Sequence, residues 1–201
     1  MPKGVNSGYS VGPSAEGTIR SIHLRKIPAT KDSAFTVAHE IGHALLDEEG
    51  FPATKSEDPY SHICAALNSM VSDPLVNARL QRYGFDLRHP YDTETAETKR
   101  QIQSGARLLR DRFTELSLMI AYAANVLDWE LIGLVGERNQ FQEWFDSRHR
   151  RIARNGQKLL GIIRRTGFDT PEKMYRFFQE VIGRCNLSQF LAVDFWKEEA
   201  G

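Results

Sequence analysis

The sequence predicts a predominantly helical α+β protein, and three observations carry that prediction. One short run, Thr18–Ile27, sets Ile22 and Leu24 against intervening polar residues as a strand does. Behind it, apolar residues recur at three-to-four spacing along most of the chain, the period of amphipathic helices. Gly and Pro punctuate those helical stretches at intervals suited to turns. With 201 residues the chain is long enough for one large domain or two small ones, and can bury a core without staples.

Taken in order, residues 1–17 are rich in Gly, Ser, Asn and Pro and read as a flexible leader. The Thr18–Ile27 strand follows and ends at Pro28. Asp32 or Ser33 then caps a helix carrying Phe35, Val37, Ala38, Ile41, Ala44, Leu45 and Leu46, which stops near Gly50. Pro52 to Asp58 reads as a loop. A second helix begins near Pro59 and runs towards Tyr83 and Gly84, with Pro74 expected to kink or divide it. After a polar turn around His89–Asp92 the remainder reads as three or four helices. Gly133, Gly136, Gly156 and Gly167 are candidate breaks, and Thr170 before Pro171 is a helix start with cap and first-turn proline in order. Phe141, Trp144, Phe145, Tyr175, Phe177 and Phe178 are expected to pack these helices together.

Composition removes several classes of function. The 26 basic and 26 acidic side chains cancel, which argues against a nucleic-acid or anionic-membrane binder held by its overall field. No stretch approaches 18 uninterrupted apolar residues, and the first residues lack a signal-peptide run. Two cysteines, Cys64 and Cys185, make no disulfide framework, so a cytoplasmic, reducing setting is the expectation.

The chemistry lies in the first helix. Thr36-Val-Ala-His39-Glu40-Ile-Gly-His43 contains H-E-x-x-H. Residues four apart share one helical face, so both imidazoles can reach one metal ion. Glu40, one residue after His39, is placed to take a proton from water held by that ion, whose acidity zinc raises towards neutrality. Gly42 leaves room beside the pair for substrate or a neighbouring backbone.

The segment Ala38–Leu46 resembles the active-site helix of the zincin superfamily of zinc metallopeptidases. The resemblance spans about a dozen residues, and it implies His39 and His43 as ligands of one Zn²⁺ ion and Glu40 as general base. Leu46 and Glu49 stand where metzincins continue with glycine and a third histidine, so that branch is excluded. Gluzincins draw their third ligand from a later helix, often in a pattern N-E-x-x-S-D. Asn68-Ser-Met-Val-Ser-Asp73 is similar to it, with Ser69 in place of the ligand glutamate. A gluzincin- or aspzincin-like arrangement is therefore expected.

Asp73 is the leading candidate for third ligand. At 100° per residue it shares a helical face with His62, Ala66 and Ser69, beside the apolar stripe of Ile63, Leu67 and Met70. A carboxylate at the margin of a buried stripe needs a cation or hydrogen bonds to offset its desolvation. The competing reading makes Asp73 the N-cap of a segment opened by Pro74. His62 and Cys64, both of suitable atom type, are the other candidates.

On this reading residues 18–92 form a zincin-like catalytic core and residues 93–201 a helical extension packed on it. A peptide or protein substrate would pair with the Thr18–Ile27 strand edge. Tyr60, His62, Tyr83, His89 and Tyr91 are candidates to stabilise an oxyanion. Arg148, Arg150, Arg151, Arg154, Lys158, Arg164 and Arg165 form a basic run that reads as a solvated helix face rather than a nucleic-acid grip. The expected function is zinc-dependent peptide-bond hydrolysis. A non-catalytic zinc-containing interaction module and a zinc hydrolase of non-peptide substrates are the alternatives.

Overall fold

The computed structural model describes residues 8–14, 17–23, 31–56, 60–88, 96, 100 and 112–194. Strand β1 (Gly8–Ser14) pairs antiparallel with β2 (Gly17–His23), Gly8 opposite His23 and Ser14 opposite Gly17. This corrects the reading of 1–17 as a flexible leader over Gly8–Ser14. Tyr9 and Val11 alternate there with Ser10 and Gly12, a period of two masked by a turn-like composition. The expected Thr18–Ile27 strand appears as β2 as far as His23, and its remainder lies outside the described residues.

Helix α1 (Lys31–Glu48) lies against both strands of this hairpin and against α2 (Ser61–Arg82). Of its apolar residues Leu46 is buried, whereas Ile41 and Leu45 stay exposed on the face turned away from α2. Between the two helices the expected loop contains a short strand, β3 (Ala53–Lys55). Its partner is β4 (Ala192–Asp194), antiparallel, with Thr54 opposite Val193. A side chain stands in for a strand on the other edge of β3. The Thr54 N–H donates to Asn68 Oδ1 at 2.8 Å, and Asn68 Nδ2 donates to the Thr54 carbonyl at 3.1 Å. Both backbone groups of a buried residue are thereby satisfied.

Helix α2 runs unbroken through Pro74. The proline removes one N–H from the helical ladder, yet Pro74 is itself buried, and flanking Met70, Val71 and Val76 have no exposed surface. Packing on both sides of the proline outweighs the lost hydrogen bond, and the expected division does not occur. Helix α3 (Arg112–Leu131) packs on α2, α4 (Val135–Thr166) on α3, and α5 (Pro171–Arg184) on α4. Thr170 caps α5, its side-chain oxygen accepting from Lys173 N, with Pro171 in the first turn as the sequence suggests.

Gly156 does not break its helix. A Cβ there would lie 2.4 Å from a ring carbon of Tyr122, so the glycine lets α4 close onto α3. The interruption in α4 falls at His149 instead (φ −135°, ψ 45°), with no glycine or proline beside it. Trp129, Tyr122, Phe141, Phe145, Phe177 and Phe178 are the largest fully buried side chains. A single cluster of buried residues runs from Leu46 on α1 through α2 to Leu191 beside β4. The fold is thus predominantly helical α+β, with five helices and two small antiparallel sheets among the described residues. None of the described helices is long and apolar enough to cross a membrane.

Candidate metal centre

The α1–α2 contact creates the site. Gly42, one residue before His43, has no side chain, and a Cβ there would lie 2.4 Å from Val76 Cγ1. The room that glycine leaves is therefore filled by Val76 of α2 rather than by substrate. Close approach of the helices brings the H-x-x-x-H face of α1 onto Asp73 of α2. His43 Nε2 lies 3.1 Å and His39 Nε2 3.8 Å from Asp73 Oδ1. The two imidazole Nε2 atoms are 3.0 Å apart.

These distances suit one ion. Tetrahedral coordination at the Zn–N and Zn–O bond length of about 2 Å spaces its ligand atoms roughly 3.3 Å apart. The three measured edges bracket that value, and a triangle with those edges has its centre about 2 Å from each corner. Among the described residues, His39, His43 and Asp73 are the group of potential ligands close enough to share a cation, all within 4.8 Å of one another. Two imidazoles and one carboxylate suit zinc, and the same donor set also serves non-haem iron(II). The side chains are 18%, 20% and 29% exposed, so the cluster is screened from bulk water but open on one side.

Asp73 sits in the middle of a continuous helix, which removes the reading of it as an N-cap. The Ser72 hydroxyl also donates to Asp73 Oδ1, at 3.4 Å. Burial holds His39 below the ordinary imidazole range, against the opposing charge of Asp73. Burial also acts on His43, but the hydrogen bond and charge of Asp73, with the charge of Glu40, carry it above that range. Burial thus favours the neutral His39 ring, the form that could ligate a metal ion. The His43 ring carries its proton where Asp73 can accept it and where a metal ion would replace it.

Glu40 is 8% exposed and close enough to His43 to act on its charge. Phe35 lies beside the His39 ring, 5.8 Å between centroids, and Phe85 packs behind Phe35. One participant is absent from any sequence motif. Asn77 Oδ1 lies 2.9 Å from His39 Nδ1, and Asn77 is 4% exposed. It stands one helical turn after Asp73, and that i, i+4 spacing is the only signal that could have found it.

The other candidates lie elsewhere. His62 is at the exposed start of α2, its ring 5.9 Å from that of Phe113, and does not join the cluster. Cys64 is buried beneath β3, and burial pushes its thiol pKa up, the wrong direction for a metal-binding thiolate. Ser69 is exposed one turn before Asp73. Tyr60 stacks on Phe190 at 4.2 Å, and Tyr83 is 83% exposed at the end of α2. His89 and Tyr91 lie outside the described residues. In the basic run, Arg151 pairs with Glu115, Arg164 with Glu130 and Arg165 with Glu180, while Arg148 lies over Trp144.

No family model, curated protein or solved structure matches this chain.

Proposed function

We propose that this chain is a zinc-dependent peptidase of zincin type, in which His39, His43 and Asp73 hold the ion and Glu40 is the general base. The observation that carries this reading is the convergence of His39, His43 and Asp73 ligand atoms within 4.8 Å, on an H-E-x-x-H helix. Three protein ligands, as found among the described residues, would suit a catalytic zinc ion, which needs room for water or substrate, rather than a structural one, which four protein ligands enclose. Bound zinc would supply a water acidified to near neutral pH and a Lewis acid for the scissile carbonyl.

The protein's own part is proton transfer and positioning. Glu40 accepts a proton at its carboxylate during attack and returns it to the leaving amine, work typically contributing 10²–10⁴-fold. Its low exposure keeps competing water from that carboxylate. Asp73 would offset part of a bound ion's charge, and Phe35 with Phe85 closes the side of the site behind His39. The β1–β2 hairpin beside α1 offers strand edges to which an extended peptide backbone can add.

Elemental analysis of the purified chain should give one zinc per molecule, lost in His39→Ala and Asp73→Ala. Glu40→Gln should retain the zinc while cleavage of an unfolded protein substrate falls at least ~100-fold. Undiminished cleavage by Glu40→Gln would overturn the mechanism, and iron in place of zinc would overturn the metal assignment. Zinc bound by a wild-type chain that cleaves neither peptides nor other acyl substrates would favour an interaction module.

A further inference from the structure

We propose that Asn77 is the positioning residue of the metal centre, fixing the His39 tautomer before any ion arrives. An imidazole has two nitrogens, and only an unprotonated one can ligate. Asn77 presents a carbonyl oxygen 2.9 Å from Nδ1. A carbonyl oxygen only accepts, so Nδ1 must carry the hydrogen and Nε2 must hold the free lone pair. Nε2 is the nitrogen that faces His43 and Asp73.

The placement follows from helix geometry. Asp73 and Asn77 are one turn apart on α2, as His39 and His43 are on α1, so two i, i+4 pairs meet across one interface. His39 is the residue gripped at both ring nitrogens, at Nδ1 by Asn77 and near Nε2 by Asp73 and His43. Asn77 is buried and α2 is continuous around it, so the amide cannot swing away without disturbing the helix contact. An amide also orients the ring without adding charge. A carboxylate in its place would donate more electron density through the imidazole and blunt the ion's Lewis acidity, whereas the neutral oxygen leaves it intact.

The affinity part of this inference rests on the zinc reading, and the tautomer part does not. The test therefore uses the full chain in both metal-free and zinc-loaded forms. Long-range ¹H–¹⁵N correlation of the metal-free protein at pH 8 should show His39 as the Nδ1–H tautomer. Asn77→Ala should lose that preference and bind zinc about 10–100-fold more weakly in competition with a chelator. Asn77→Asp, which keeps an acceptor oxygen, should restore both the tautomer and the affinity. Thermal melts of the two metal-free variants separate this role from packing, since a merely structural asparagine would change stability and leave the tautomer alone. An Nε2–H tautomer in the wild type, or an unchanged tautomer in Asn77→Ala, would overturn the proposal. Wild-type protein that binds no zinc while showing the Nδ1–H tautomer would overturn the zinc reading and uphold the positioning role.

Discussion

Substituting Gly42 by alanine sets two known effects against each other, and the structure decides between them. In an exposed helix the change is worth about 1 kcal/mol of added stability, because glycine is the poorer helix former. Here the new Cβ would fall 2.4 Å from Val76 Cγ1 and 3.1 Å from Cγ2, against a normal carbon contact of roughly 3.5–4 Å. Val76 has no exposed surface, so its side chain cannot swing out into solvent. Relief must come from moving α1 away from α2 by about 1 Å, and overpacking of this kind costs about 1–3 kcal/mol. The net expectation is a loss of ~0–2 kcal/mol. The same movement parts His43 from Asp73, now 3.1 Å apart, so zinc affinity should fall with stability. Urea melts and zinc titrations of Gly42→Ala, Val76→Ala and the double variant give the answer. With Val76 shortened to alanine the nearest remaining atom is its Cβ at 3.3 Å, a contact that a shift of a few tenths of an ångström relieves, and alanine at 42 should then be neutral or stabilise by up to about 1 kcal/mol. The Gly42→Ala effect must therefore be clearly more favourable in the Val76→Ala background than in the wild type. A stabilising effect of similar size in both would refute the argument that this glycine sets the helix spacing.

Three further outcomes follow from other parts of the molecule. Asp73→Ala should cost the metal-free protein about 0.5–1.5 kcal/mol through loss of the His43–Asp73 hydrogen bond, and should abolish any stabilisation by added zinc; zinc stabilisation unchanged from wild type in thermal melts would refute its role as a ligand. Asn68→Ala should speed hydrogen exchange at Thr54 and the β3–β4 pair and cost about 1–3 kcal/mol, because two buried backbone groups lose their partner. His149, whose pKa is lowered by burial and then by Arg148, favours the neutral ring in the folded state. Its contribution to stability is complete above about pH 6.5 and drains as pH falls through the lowered folded value. His149→Gln should remove that part of the pH dependence in denaturant melts between pH 7.5 and 5.

What the sequence disclosed and what it withheld divide along the range of the interactions. The α1 histidine pair is legible because four-residue spacing on a helix fixes a shared face. Asp73 is legible as a face position, and its choice between ligand and cap turns on whether Pro74 interrupts α2. That is decided by the packing of Met70, Val71 and Val76, which no local rule encodes. Asn77 is invisible in isolation, since a lone asparagine in a helix has no pattern of its own. The β3–β4 pair joins two three-residue segments far apart in sequence, too short for alternation to register. Strand β1 is hidden by glycine and serine. Ile41 and Leu45 belong to the apolar set of α1 but remain exposed, because α2 and the hairpin do not cover that side.

The β3–β4 pairing also has a consequence for the order in which the molecule is made. His39, Glu40, His43, Asp73 and Asn77 lie on two helices joined by one short segment, and a growing chain presents all of them before it reaches β4. The partner of β3 is synthesised last among the described residues, at Ala192–Asp194. Until it arrives Thr54 is held on one side only, by Asn68. Distant pairings form late because the intervening chain must first be brought together. The helices that carry His39, His43 and Asp73 are thus complete on the nascent chain while the sheet beside them is still half made, so their packing must hold Thr54 and Asn68 in place before β4 arrives to pair.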